Sequence, residues 1–191
     1  MSRRPTGDEG FGLLETIVAV AIIAVTMAGL TLFLIRTTKV TNLQADYQSA
    51  TQLASVAMED VSQFPGEALL AGRPYNAVAG QWQAPGVPPY LAMTQLAWDH
   101  TMTDSAPSAE PAALPIAPTA STAKFLKSVY IGTCWQATSG GDCAAVQQPA
   151  QVEMFRVIVA ITWSAQGCPN SMCSYVTAML AAHDLTDPTF S

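Results

Sequence analysis

The sequence predicts an α+β fold: a long N-terminal α-helix, membrane-spanning in its first half and amphipathic in its second, packed on an antiparallel β-sheet of about four strands. Three observations carry that expectation. Residues 11–35 are apolar apart from a few threonines and one carboxylate, Glu15. An apolar stripe spaced by threes and fours follows directly. The last third alternates apolar and polar residues in segments of strand length.

The apolar run reaches roughly 37 Å at about 1.5 Å per residue, more than a hydrocarbon core of about 30 Å. Half of the 191 residues are hydrophobic, only 12% are charged, and the mean hydropathy is +0.25, values typical of a domain with a spanning segment attached. A cleaved secretory signal is the plainer alternative. The run is too long for its apolar region, and no small-residue cleavage site follows before Arg36. Arg3 and Arg4 precede the run while Arg36 and Lys39 follow it, so charge alone leaves the orientation balanced.

Glu15 poses the problem of a carboxylate inside a segment of membrane length, where an ionised group must be neutralised, snorkel or face a partner. It lies four residues after Phe11, behind the polar decapeptide "MSRRPTGDEG" that ends in Gly10. A short basic leader, a glycine, and Phe-x-x-x-Glu opening an apolar helix resemble the type IV pilin and pseudopilin class. With the leader and "GFGLLETIVAVAII" together, the match covers about 25 residues. The resemblance implies cleavage after Gly10 by a prepilin peptidase and N-methylation of Phe11. It also implies an assembly role for Glu15, whose charge would compensate the new terminal amine in a medium where an unpaired charge is expensive.

The implied division is a leader at 1–10, a transmembrane and assembly half-helix at 11–39, and an extracytoplasmic globular domain at 40–191. The leader would be cytoplasmic, and the chain would be a single-pass protein of the cytoplasmic membrane before assembly and part of a cell-surface filament afterwards. Its partners would be the peptidase, other pilin subunits and the assembly machinery. Many major pilins bend this helix at a proline; the run here has none, which points to a minor pilin or pseudopilin.

Val40, Leu43, Tyr47, Ala50, Ala54, Ala57, Val61 and Phe64 form the stripe of a continuing helix, which Pro65 and Gly66 stop. Small Ala at three of these positions suits close packing on a sheet, as it would suit a coiled coil. A Pro-rich loop is expected over 84–123, with seven of the thirteen prolines lying between Pro85 and Pro118. A short strand is expected within "YLAMTQLAW". "KFLKSVYIGTCW", "VEMFRVIVAITW" and "CSYVTAMLAAH" read as strands, with Phe155, Val157, Val159, Ile161 and Trp163 on one face. "RVIVAITW", a turn, another strand and a closing "DPTF" also resemble the C-terminal part of PilV-like minor pilins.

Cys134, Cys143, Cys168 and Cys173 all fall in the part expected outside the membrane, where an even count favours disulfides and allows three pairings. Local bridges, Cys134 with Cys143 and Cys168 with Cys173, are the first choice because each pair flanks a short loop. A zinc site lacks a C-x-x-C pair and would sit in an oxidising compartment. From Val40 onward four basic residues face eleven acidic ones, a net of about −7, which argues against nucleic-acid binding through bulk charge. His100 and His183 lie in no nucleophile, metal or phosphate motif, so no enzyme, cofactor or catalytic residue is expected. The alternatives to a pilus subunit are a type II secretion or competence pseudopilin and a signal-anchored extracytoplasmic binding protein that never polymerises.

Overall fold

A computed structural model describes residues 12–64, 66–83, 89–102 and 112–183. The contacts divide the chain into two units, one ending at Asp46 and the other beginning at Tyr47. Gly10 and Phe11, and with them the expected cleavage junction, lie outside the described residues.

Helix α1 spans Leu13–Ser62 as one 50-residue element. It is long and apolar enough to cross a membrane. In its first unit the large apolar side chains are exposed on all sides, Ile17, Ile22, Val25 and Phe33 among them. Threonines within this run hide their polarity locally. The hydroxyls of Thr16, Thr26 and Thr31 donate to the carbonyls of Leu13, Ile23 and Met27 at 2.8, 2.9 and 2.8 Å. Such bonds satisfy a hydroxyl where no water is at hand.

In the second unit the helix buries the stripe read from the sequence: Ala50, Ala54, Ala57 and Val61 are all buried. Burial begins later than the periodicity implies, since Val40 is exposed and Tyr47 is 39% exposed. The helix ends at Ser62, two residues before the expected Phe64, and the chain turns through Phe64, whose N–H reaches the Val61 carbonyl at 3.0 Å. Gly66 then adopts φ +45°, a backbone that glycine takes without Cβ strain.

The sheet is antiparallel. Strands β3 (Phe125–Ala137), β4 (Gln151–Ser164) and β5 (Met172–Ala182) form a meander in chain order, within two residues of the segments predicted from alternation. Two short strands, β1 (Gln95–Leu96) and β2 (Thr119–Ala120), pair with the other edge of β3. β1 falls inside the "YLAMTQLAW" segment.

Register places Phe125, Val129 and Ile131 of β3 beside Trp163, Val159 and Val157 of β4. This face carries the helix: the Tyr47 ring meets Trp163 edge-on at 5.0 Å, and Phe125 lies 5.5 Å from the same indole. The opposite face of β4 is buried as well, at Met154, Ile158 and Ala160, which is why the strand reads as nearly continuous apolar sequence. Part of that cover comes from α2 (Tyr75–Trp82), a helix that the sequence pattern does not announce. Its Trp82 and the nearby Tyr90 lie edge-on to Tyr130 at 6.3 and 6.0 Å. Gly132 makes room for this packing, since a Cβ there would overlap the Gln95 carbonyl and the Thr94 methyl.

Candidate functional site

Glu15 stands in the first turn of α1. Its N–H reaches the Gly12 carbonyl at 2.9 Å, so the residue is already helical at the point where an acid also complements the positive end of the helix dipole. A carboxylate here therefore has a local electrostatic reason to exist as well as the assembly role implied by resemblance.

Both disulfides form as local bridges. Cys134 joins Cys143 with Cα atoms 5.6 Å apart, and Cys168 joins Cys173 at 5.2 Å. The first staples the β3–β4 connection back onto β3, where Ala144 exchanges both backbone hydrogen bonds with Trp135 at 2.8 and 2.9 Å. The second closes the β4–β5 turn, in which Asn170 and Ser171 hold positive φ. No group of three His, Cys, Asp or Glu side chains able to hold a metal ion occurs among the described residues.

The outer edge of β3 is sealed in pieces. β2 covers Leu126–Lys127, β1 covers Gly132–Thr133, and Ala144 bridges Trp135. Between the two short strands, side chains replace backbone. The Val129 carbonyl accepts from Gln81 Nε2 at 3.0 Å and from Arg73 Nη2 at 3.4 Å. Arg73 is fully buried and also donates through Nη1 to the carbonyls of Leu114 at 3.0 Å and Pro115 at 3.4 Å. Burial alone lowers its pKa to about 10, so the guanidinium keeps its proton near neutrality.

A cleft of about 550 Å³ opens beyond this edge, on the sheet face that carries the helix. Its walls come from the 3-10 turn Gly66–Leu70, from the chain following β1, and from the facing ends of β3 and β4. Trp98 and Trp135 supply aromatic surface, and Glu67, Asp99 and Glu153 supply carboxylates. Trp98 is held by the edge of Tyr75 at 5.0 Å and by His100 at 4.4 Å. His183 stacks on Phe155 at 4.8 Å and forms part of the floor.

Asp99 is fixed by four bonds: it accepts from Gly72 N at 3.0 Å and from the Thr101 amide and hydroxyl, and its own N–H donates to the Arg73 carbonyl at 2.9 Å. The Thr101 hydroxyl chiefly, with the two amides, holds its carboxyl below the usual aspartate range. Sequence reading set both histidines aside, and the fold brings both into one cleft. No local sequence signal marks this grouping, because the register of Trp135 opposite Glu153 needs the pairing of β3 with β4.

No family model, curated protein or solved structure matches this chain.

Proposed function

We propose that the chain is a minor pilin or pseudopilin subunit of a type IV pilus-like filament. In this reading a prepilin peptidase cuts after Gly10, Phe11 becomes the N-methylated terminus, and the apolar half of α1 leaves the cytoplasmic membrane to pack among the helices of other subunits. The sheet unit is then extracytoplasmic, which suits its two disulfides.

One observation carries the proposal: the Gly10-Phe11 junction sets Glu15 in the first turn of a 50-residue helix whose later turns bury a stripe against an antiparallel sheet. Lipid-exposed apolar residues alone would support any anchor; the carboxylate at this spacing is what an anchor does not require. Intact-mass measurement of membrane-extracted protein, from cells with an active prepilin peptidase, tests the reading. The expected mass is that of a chain beginning at methylated Phe11, and the protein is expected in sheared filaments. A stable chain retaining "MSRRPTGDEG" overturns it.

The second reading is a signal-anchored extracytoplasmic binding protein that keeps residues 1–10. The aromatic and acidic cleft favours it, because a subunit whose work is packing has no need of such a cavity.

A further inference from the structure

We propose that the cleft beneath Trp98 and Trp135 binds an organic cation, a primary amine or guanidinium carried by a small molecule or by a lysine or arginine side chain of a peptide. This inference stands apart from the filament reading, since the cleft lies wholly in the unit that begins at Tyr47 and has the same walls in a filament subunit or in an anchored binding protein.

Size comes first: about 550 Å³ falls within the roughly 300–1,000 Å³ of small-ligand sites. Sign comes second. Three carboxylates reach the cleft from three separate parts of the chain, Glu67 from the 3-10 turn, Asp99 from the segment after β1 and Glu153 from β4, while neither lysine nor arginine lines it. Asp99 is locked in place by Gly72 and Thr101, so its charge is fixed rather than free to swing away.

Surface chemistry then narrows the kind of cation. A compact metal ion needs several oxygens or nitrogens converging on one point, and among the described residues no such group exists. Indole faces instead attract ammonium and guanidinium groups carried on an organic stem, and two tryptophans line this cleft. Gln95, Thr133 and Thr101 add hydrogen-bonding groups around the walls, able to meet the N–H donors of an ammonium or guanidinium.

The experiment uses the full chain in non-ionic detergent micelles, with the indole N–H resonances of its four tryptophans followed by NMR. Nα-acetyl-lysine amide is titrated at low salt beside its neutral Nζ-acetylated form, methyl glucoside, butylamine and a Gly-Lys-Gly peptide. The charged lysine probe is expected to shift Trp98 and Trp135 while leaving Trp82 and Trp163 in place. Its Kd is expected to rise about tenfold in a Glu67→Gln/Glu153→Gln double variant, whose substituted side chains are exposed, and to rise with added salt. Tighter binding of the peptide than of butylamine assigns the cation to a peptide side chain; equal binding assigns it to a free amine. Absence of shifts with every charged probe, equal binding of the neutral lysine form or of the glucoside, or an unchanged Kd in the double variant would overturn the proposal.

Discussion

The guanidinium of Arg73 donates to the carbonyl of Val129, 56 residues later, across 3.4 Å, closing with a side chain a stretch of sheet edge that no strand covers. An exposed edge carbonyl invites pairing with another chain, and a buried one without a donor is costly. Gln81 shares the task from α2. Arg73 is also the group through which the 112–115 segment is tied to the sheet, by its bonds to Leu114 and Pro115.

Arg73→Met is therefore expected to destabilise the sheet unit by about 2–3 kcal/mol, since it leaves the Leu114 and Pro115 carbonyls without this donor while Gln81 still serves Val129. Arg73→Lys keeps the charge but not the planar fork, and is expected to recover little of the loss. Urea unfolding of the full chain in micelles, followed by tryptophan fluorescence, measures both; equal stability of wild type and Arg73→Met would show that the buried guanidinium is dispensable.

Gly132→Ala is expected to cost about 1–3 kcal/mol, the usual range for forcing a methyl into a packed site. The added carbon meets backbone at Gln95 and cannot be relieved by a rotamer change alone, so β1 must shift away from β3. Hydrogen exchange at Gln95 and Leu96 should accelerate selectively, with exchange along β4 nearly unchanged.

Replacing Cys168 and Cys173 by serine is expected to lower stability by about 2 kcal/mol, the loop-entropy value for a short closed loop. The same change at Cys134 and Cys143 should cost slightly more, because that bridge joins cysteines nine positions apart against five and so closes the longer loop. Non-reducing peptide mapping of the wild type should recover only the two local pairs.

Asp99 has a folded pKa below its unfolded value, so it contributes stability that is present above the ordinary aspartate pKa and is lost as pH falls through the folded value. Asp99→Asn should flatten that acid limb and leave a smaller pH dependence below the ordinary aspartate range. Thermal melts of wild type and variant across the acid range decide it: parallel curves would mean that Thr101 and Gly72 do not hold the charged form.

Glu15→Val removes a charge from the apolar run, so membrane insertion should be as good or better. On the filament reading proposed above, cleavage after Gly10 should persist, and recovery in sheared filaments should fall about tenfold or more, as expected when each subunit loses about 1.4 kcal/mol of pairing. Fractionation into processed membrane-bound and sheared-filament protein reads the two effects separately. Wild-type filament levels would reduce Glu15 to the helix-dipole role visible in its first-turn position.

How much of this was legible in advance follows from which physical signals are local. Alternation in β3, β4 and β5 is a property of each strand alone, and it placed all three within two residues. The Ala50, Ala54, Ala57 and Val61 stripe was equally readable, because helical period and burial coincide there. Helix α2 was missed because eight residues following Pro74 carry too little periodicity to stand out beside a Pro-rich stretch. β2, two residues inside that stretch, exists only through its pairing with β3. Arg73 gave no sign of its importance, since a lone arginine beside a proline is ordinarily a surface residue. The cleft was illegible for the same reason: Glu67, Trp98 and Glu153 become neighbours only after the sheet is assembled.

The sequential order of the cysteine pairs has a consequence for how the chain matures. Each bridge is finished before the next begins, Cys134 with Cys143 and then Cys168 with Cys173, with no crossing of one pair by the other. A chain emerging from its N-terminus into an oxidising space thus presents Cys143 with a single available sulfur, and presents Cys173 with one free partner once the first pair has closed. Under the proposed export of this unit, vectorial emergence and the local connectivity coincide, and the thiols would reach their final pairing without an isomerase having to undo a wrong one.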